Sequence, residues 1–170
     1  MNGIDSMRTI YWDACVYLAW LMDEKSQGED AIRAIEHVLR ENFQRKNTII
    51  TSTLTFIEVL PSRIGAEKNE QFQRSFRTGH HIAYDVDPPI ARKAAEIREK
   101  FIKREGGKNL ATPDAIHVAT ALIYRADCIF TFDDGQKDRR HLGLLELDKN
   151  DRVDGVHICR PHIAEFGLLI

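Results

Sequence analysis

The sequence contains no CxxC pair, no glycine-rich phosphate loop and no long apolar run. Its three cysteines, Cys15, Cys128 and Cys159, are scattered and odd in number. This argues against a disulfide framework and predicts a reducing, cytoplasmic setting. No stretch reaches the ~18 apolar residues of a membrane span, so no membrane partner is expected. The opening MNGIDSMRTIYWDACVYLAWL lacks a basic leading region and is interrupted by Asp13, so it does not read as a signal peptide. GxxxxGKS/T and GxGxxG are both absent, which removes the common nucleotide-binding loops. No GxSxG supports a serine hydrolase. An aspartyl-phosphate phosphatase would need an acid two residues after Asp13, where Cys15 stands. Lys and Arg total 24 against 26 Asp and Glu, for a formal charge of −2. The chain therefore has no global pull toward nucleic acid, and any such binding needs a local basic patch.

What is present is alternation. The 170 residues suit one domain spanning 1–170. TIYW (9–12) is a short apolar β-type run, followed by amphipathic DACVYLAWLMDE. Residues 28–46 space Ala31, Ile35, Val38, Leu39 and Phe43 at helical intervals. NTIITST (47–53) is β-branched, and LTFIEVLPSRI reads as a short helix stopped by Pro61. EKNEQFQRSFRTG is a polar helix candidate, and HHIAYDV (80–86) alternates as a strand. DPPIARKAAEIREKFIKREGG opens on prolines and closes on glycines, the usual order for helix boundaries. TPDAIHVATALIYRA predicts another helix, DCIFTF (127–132) a buried strand and VHICRP (156–161) a last strand. Such alternation implies a parallel sheet with helices on both faces. The tract 134–155 reads as a helix plus loop inserted before the last strand.

Four acids stand at the boundaries of these elements. Asp13 follows TIYW, Glu58 follows NTIITST by one helical turn, and Asp133 follows CIFTF. Asp114 sits near a helix start that can face the same sheet edge, and in parallel α/β sheets ligands bind at that edge. Each acid also has a purely structural reading. Asp13 suits an N-cap, and Thr55 with Glu58 matches a capping box. Thr112, Pro113 and Asp114 fit an N-cap, a first-position proline and a first-turn acid. Asp133, Asp134 and Gly135 can form a plain turn. The joint pattern points instead to a metal site. Clustered carboxylates repel and hold their protons unless a cation intervenes, and Mg²⁺ or Mn²⁺ prefers such hard oxygen ligands.

Taken in order, IYWDACVYL, TSTLTFIEVL, LATPDAIHVATAL, CIFTFDD and DGVHICRPHIAEF resemble a PIN domain. That family comprises small metal-dependent ribonucleases, many of them the toxin half of VapBC-type toxin–antitoxin pairs. The resemblance implies a three-layer α/β/α sandwich with a mostly parallel central sheet. It implies Asp13, Glu58, Asp114 and Asp133 as catalytic metal ligands for Mg²⁺ or Mn²⁺, with Thr131 in support. Asp134 is the alternative fourth acid, and Asp133 is preferred from the Thr-x-Asp position. The implied activity is an endoribonuclease leaving a 5′-phosphate and a 3′-hydroxyl, with an RNA substrate, a cognate antitoxin and a homodimeric state. Ala14 and Cys15 replace the Thr and Asn or Ser often found after the first acid, so any hydroxyl or amide contact to the site from those positions is expected to be lost. A non-catalytic PIN-like module binding RNA or protein, and a housekeeping RNA-processing nuclease, are the rival readings.

Basic residues cluster at Arg98, Lys100, Lys103, Arg104 and Lys108; at Arg63, Lys68, Arg74 and Arg77; and at Lys137, Arg139 and Arg140. A solvated helix face accounts for each cluster. If RNA binds, Arg104 and Lys108, just before the Asp114 helix, are the favoured phosphate contacts. His157, Cys159 and His162 lack the spacing of a zinc finger. His117 shares a helix face with Asp114; of a substrate contact and a packing histidine, the packing histidine is the preferred reading.

Overall fold

β-Branched and aromatic residues dominate the strands, as expected where a parallel sheet is buried on both faces. The computed structural model describes residues 7–60, 64–102, 107–136, 140–148, 153 and 155–161. The chain runs β1 (Arg8–Trp12), α1 (Ala14–Met22), α2 (Glu29–Phe43), β2 (Asn47–Ser52), α3 (Leu54–Val59) and α4 (Gly65–Ser75). It continues through β3 (His81–Tyr84), α5 (Pro88–Lys100), α6 (Thr112–Ile123), β4 (Cys128–Phe130), α7 (Leu144–Leu147) and β5 (His157–Cys159). The expected alternation is present, with β4 and β5 ending earlier than the apolar runs that announced them. Within 134–155, the described part carries the short helix α7. No helix among the described residues is long and apolar enough to cross a membrane.

The five strands form one sheet in the order β3-β2-β1-β4-β5, every pair parallel. Side chains alternate across it. Ile10, Trp12, Ile49 and Phe130 pack on one face with α1, α2 and Phe72 of α4. Tyr11, Ile50, Ile129 and Ile158 pack on the other with α5, α6 and α7. The result is the expected three-layer α/β/α sandwich. From β1 the chain moves outward to β2 and β3, then returns to place β4 on the other side of β1. The order therefore reverses between β1 and β4, and the crevice of such a sheet lies beyond the carboxyl ends of those strands.

Two helix starts differ from expectation. α3 is preceded by Thr53, and its capping residue makes no side-chain hydrogen bond. The Thr55–Glu58 capping box does not form, because Thr55 Oγ1 is drawn to Thr51 Oγ1 at 2.7 Å inside the core. α6 begins at Thr112 after an extended Ala111, so Pro113 occupies its second position. Proline is tolerated there because the first-turn amides have no helical acceptor.

The loop after β4 is closed tightly. Asn109 N–H donates to Arg140 O at 3.0 Å and Leu142 N–H to Asn109 O at 2.9 Å. Lys108 Nζ donates to Gly135 O at 2.7 Å and approaches Glu146 Oε2 at 3.4 Å. Gly135 and Gly143 touch backbone to backbone: a Cβ on Gly143 would lie 2.1 Å from Gly135 N. Gly143→Ala is therefore expected to destabilise the fold by about 1–3 kcal/mol through overpacking against backbone that cannot rotate away. Urea unfolding measures this, and a wild-type midpoint would show the loop to be loosely held.

Candidate active site

Asp13 leaves the carboxyl end of β1, 6% exposed. It caps α1, with Oδ1 accepting from Cys15 N–H at 2.6 Å. Its Oδ2 accepts from the Thr131 hydroxyl at 2.6 Å. Thr131, fully buried just past β4, also accepts from Asp133 N–H at 3.0 Å. One hydroxyl thus ties the residue after β1 to the segment after β4. Because that hydroxyl's only hydrogen goes to Asp13, the Cys15 thiol is the donor in the 3.5 Å contact between Cys15 Sγ and Thr131 Oγ1. Cys15 Sγ accepts from Phe132 N–H at 3.0 Å. Cys15 brings no hydroxyl or amide to the site, as expected; its sulfur instead bonds Thr131 and the Phe132 amide, which strand and helix patterning could not reveal. Burial, then the charge of Asp13, pushes the Cys15 thiol well above its ordinary range.

Asp133 is held by two backbone amides, Gly135 N–H to Oδ1 at 3.1 Å and Leu144 N–H to Oδ2 at 3.0 Å. Burial still raises its pKa, with Asp13 and Asp134 adding to the rise against those two bonds. Asp134 turns elsewhere: Oδ1 accepts from Gln136 N–H, and Oδ2 pairs with the Arg160 guanidinium at 3.2 Å. Arg160 also lies 5.9 Å from the centre of the Phe132 ring.

Asp114 stands on the first turn of α6. The helix dipole favours a charge there by about 0.3–1 kcal/mol. Burial and the charges of Asp133, Asp13 and Glu58 oppose it, His117 offsetting only part, and the pKa is raised to about 7. Burial, reinforced by like charge, wins over the dipole. No hydrogen bond reaches the Asp114 carboxylate among the described residues.

Glu58 comes from α3, its side chain 31% exposed, and Oε2 lies 2.9 Å from His117 Nε2. His117 is only 2% exposed, and its Nδ1 lies 2.6 Å from the Tyr11 hydroxyl. Burial alone would lower the His117 pKa, but the hydrogen bond to Glu58 and the charges of Asp13, Glu58 and Asp114 raise it. A packing histidine captures only half of this role. Its i+3 spacing from Asp114 was the available signal; the partners Tyr11 and Glu58 were not.

The four acids are thus within electrostatic reach of one another. As placed, no three or more His, Cys, Asp or Glu side chains among the described residues stand close enough together to hold an ion. The donor chemistry fits a hard divalent cation: carboxylate oxygens, one of them on a carboxyl whose pKa burial and its acidic neighbours raise to about 7. Of the basic candidates, Lys108 spends its ammonium on Gly135 O and Glu146. Arg98 Nε donates to Leu110 O at 3.4 Å, and Arg74 pairs with Glu70. Arg63, Lys103, Arg104, Lys137, Arg139 and His162 lie outside the described residues. Cys159 is buried in the core and His157 pairs with Asp148 at 3.2 Å, so their contacts are structural.

The profile of the PIN domain family matches residues 10–142. The chain belongs to the PIN domain family. Its fold is similar to that in the crystal structure of VapBC2 from Rickettsia felis bound to a DNA fragment from their promoter. The TM-score is 0.56 at 13% identity, over 89% of this chain and 98% of that one. A toxin–antitoxin complex from Klebsiella pneumoniae aligns with a TM-score of 0.49 at 20% identity, over 76% of this chain and 90% of that one. No curated protein sequence matches. The matched span of this PIN domain contains Asp13, Glu58, Asp114 and Asp133 and stops before β5.

Asp114 makes the metal-free PIN domain sensitive to pH. The folded protein keeps a proton between the ordinary carboxylate pKa of 3.8 and about 7, where the unfolded chain has released it. Folding stability therefore falls as pH rises through that window. Asp114→Asn is expected to stabilise the metal-free protein by about 1–3 kcal/mol at pH near 8, with little effect near pH 4. Chemical denaturation at both pH values tests this, and a pH-independent difference would contradict a carboxyl raised by burial and neighbouring charge.

Proposed function

We propose that this PIN domain is a divalent-metal-dependent endoribonuclease, the toxin of a toxin–antitoxin pair. The observation that carries the reading is the raised Asp114 carboxyl, perturbed by burial and by Asp133, Asp13 and Glu58 from three other segments. PIN domains are nucleases, and membership of that family supports a hydrolase acting on nucleic acid. Asp13, Glu58, Asp114 and Asp133 would hold Mg²⁺ or Mn²⁺, with Thr131 positioning Asp13. A bound ion would neutralise these carboxylates and supply an acidified water for in-line attack on phosphorus. Asp13 is held by a backbone amide and a hydroxyl, and Asp133 by two amides, so both are preorganised by hydrogen bonds. Cys15 does not serve as a nucleophile, because burial and Asp13 keep its thiol protonated.

RNA as substrate, an antitoxin that covers the acidic cleft, a homodimer and a cytoplasmic setting complete the reading. The likeness in fold to VapBC2 supports the antitoxin partner. A second reading, a PIN-like module that binds without cleaving, is favoured by the lack of three acids at ligand distance among the described residues. Calorimetric titration with Mn²⁺ separates the two, since a non-catalytic module need not bind metal in the cleft.

Asp114→Asn is expected to abolish metal-dependent RNA cleavage while leaving the circular dichroism of the fold intact. Full cleavage by the folded variant would remove the mechanism. Expression of the wild-type chain alone is expected to arrest growth. Unaffected growth from a protein that cuts RNA when purified would leave a housekeeping nuclease instead.

A further inference from the structure

We propose that His117 is a positioning residue that locks the Glu58 carboxylate toward the acidic cleft, anchored in turn by Tyr11 and the Ser52 amide. This rests on the reading of Glu58 as a metal ligand. A carboxylate only accepts, so His117 Nε2–H donates to Glu58 Oε2 across the 2.9 Å contact. On its other side the imidazole meets the Tyr11 hydroxyl at 2.6 Å, and that hydroxyl oxygen accepts Ser52 N–H at 3.1 Å. The two rings meet edge to face, with centroids 5.7 Å apart at 67°. Tyr11 is fully buried and His117 is 2% exposed. Turning the imidazole away from Glu58 would break the Tyr11 bond in a space without water to replace it.

The need for such an anchor follows from which acid it serves. Asp13 is fixed by its own cap and by Thr131, and Asp133 by two amides. Asp114 has a short side chain on the twelve-residue α6. Glu58 has the longest acidic side chain of the four and sits on α3, a helix of only six residues. Its side chain has one more rotatable bond than an aspartate's, so fixing its carboxylate costs more conformational entropy. The chain Ser52–Tyr11–His117–Glu58 refers its carboxylate to β1, β2 and α6, the elements that also place Asp13 and Asp114. Partners that orient metal ligands in this way set affinity through geometry rather than by touching the ion.

The test uses the full chain and calorimetric titration with MnCl₂, with metal-free thermal unfolding as a control for folding. Glu58→Gln is expected to weaken Mn²⁺ binding. Folded His117→Leu is expected to bind about 10–100-fold more weakly than wild type. His117→Gln, whose amide can stand where Nε2–H stood, is expected to stay within about threefold. A merely structural histidine would not show that recovery. Tyr11→Phe removes only the anchoring hydroxyl and is expected to weaken binding in the wild-type background but not on top of His117→Leu. Wild-type affinity in folded His117→Leu overturns the inference; should that variant fail to fold, wild-type affinity in Tyr11→Phe does so. If wild type binds no Mn²⁺, or Glu58→Gln binds as tightly as wild type, the ligand reading of Glu58 itself fails, and this inference falls with it.

Discussion

Like-charge crowding beyond the carboxyl ends of β1 and β4 is the constraint to which the rest of this cleft answers. Asp13, Glu58, Asp114 and Asp133 come from four separate segments, yet three of them add to the burial that raises the pKa of the fourth, Asp114. The protein meets that repulsion mainly with neutral donors. Two amides hold Asp133, an amide and a hydroxyl hold Asp13, and an imidazole meets Glu58. Asp114 receives no hydrogen bond among the described residues, and its carboxyl is pushed furthest, to about 7. Asp133 is raised too, despite its two amides, but the acid without hydrogen-bond donors is raised to about 7, with His117 offsetting only part of burial and like charge. A cation entering such a cleft would meet ligands already partly organised.

Topology brings the acids together. The order reversal between β1 and β4 opens a crevice at their carboxyl ends. Thr131 spans it, bonded to Asp13 on one side and to Asp133 N–H on the other. The loop from Asp133 to α7 is then closed by the Gly135–Gly143 approach and the Lys108 contacts. Stability and site geometry share these contacts. A change that loosens the loop therefore also releases the two amides that aim Asp133.

Much of this could be read along the chain. Apolar and β-branched runs marked β1, β2 and β4, helical spacing marked α2, and the prolines marked the start of α5, which ends at Lys100, short of the glycines expected to limit it. The boundary positions of the four acids were equally plain. What failed were local rules with more than one solution. Thr55 and Glu58 satisfied a capping-box pattern, yet Thr55 pairs with Thr51 in the core and Glu58 with His117. Lys108 was legible as a cation near α6 but not as a strap on the Asp133 loop. Cys15 lacks the hydroxyl or amide expected to be missing there, and only the packed structure shows its sulfur bonding Thr131 and Phe132 instead.

The sequence by itself determined periodicity, and periodicity sufficed for the parallel sandwich and for acids at the ends of its elements. Hydrophobic spacing reports which face of a strand or helix is buried, a property set by near neighbours. Only the tertiary structure decided which polar groups meet across the sheet. Tyr11, Ser52, Glu58 and His117 lie on four elements, and their hydrogen bonds depend on side-chain directions fixed after the layers have packed. A hydrogen bond is lost over a fraction of an ångström and a few tens of degrees, and no one-dimensional pattern carries that resolution.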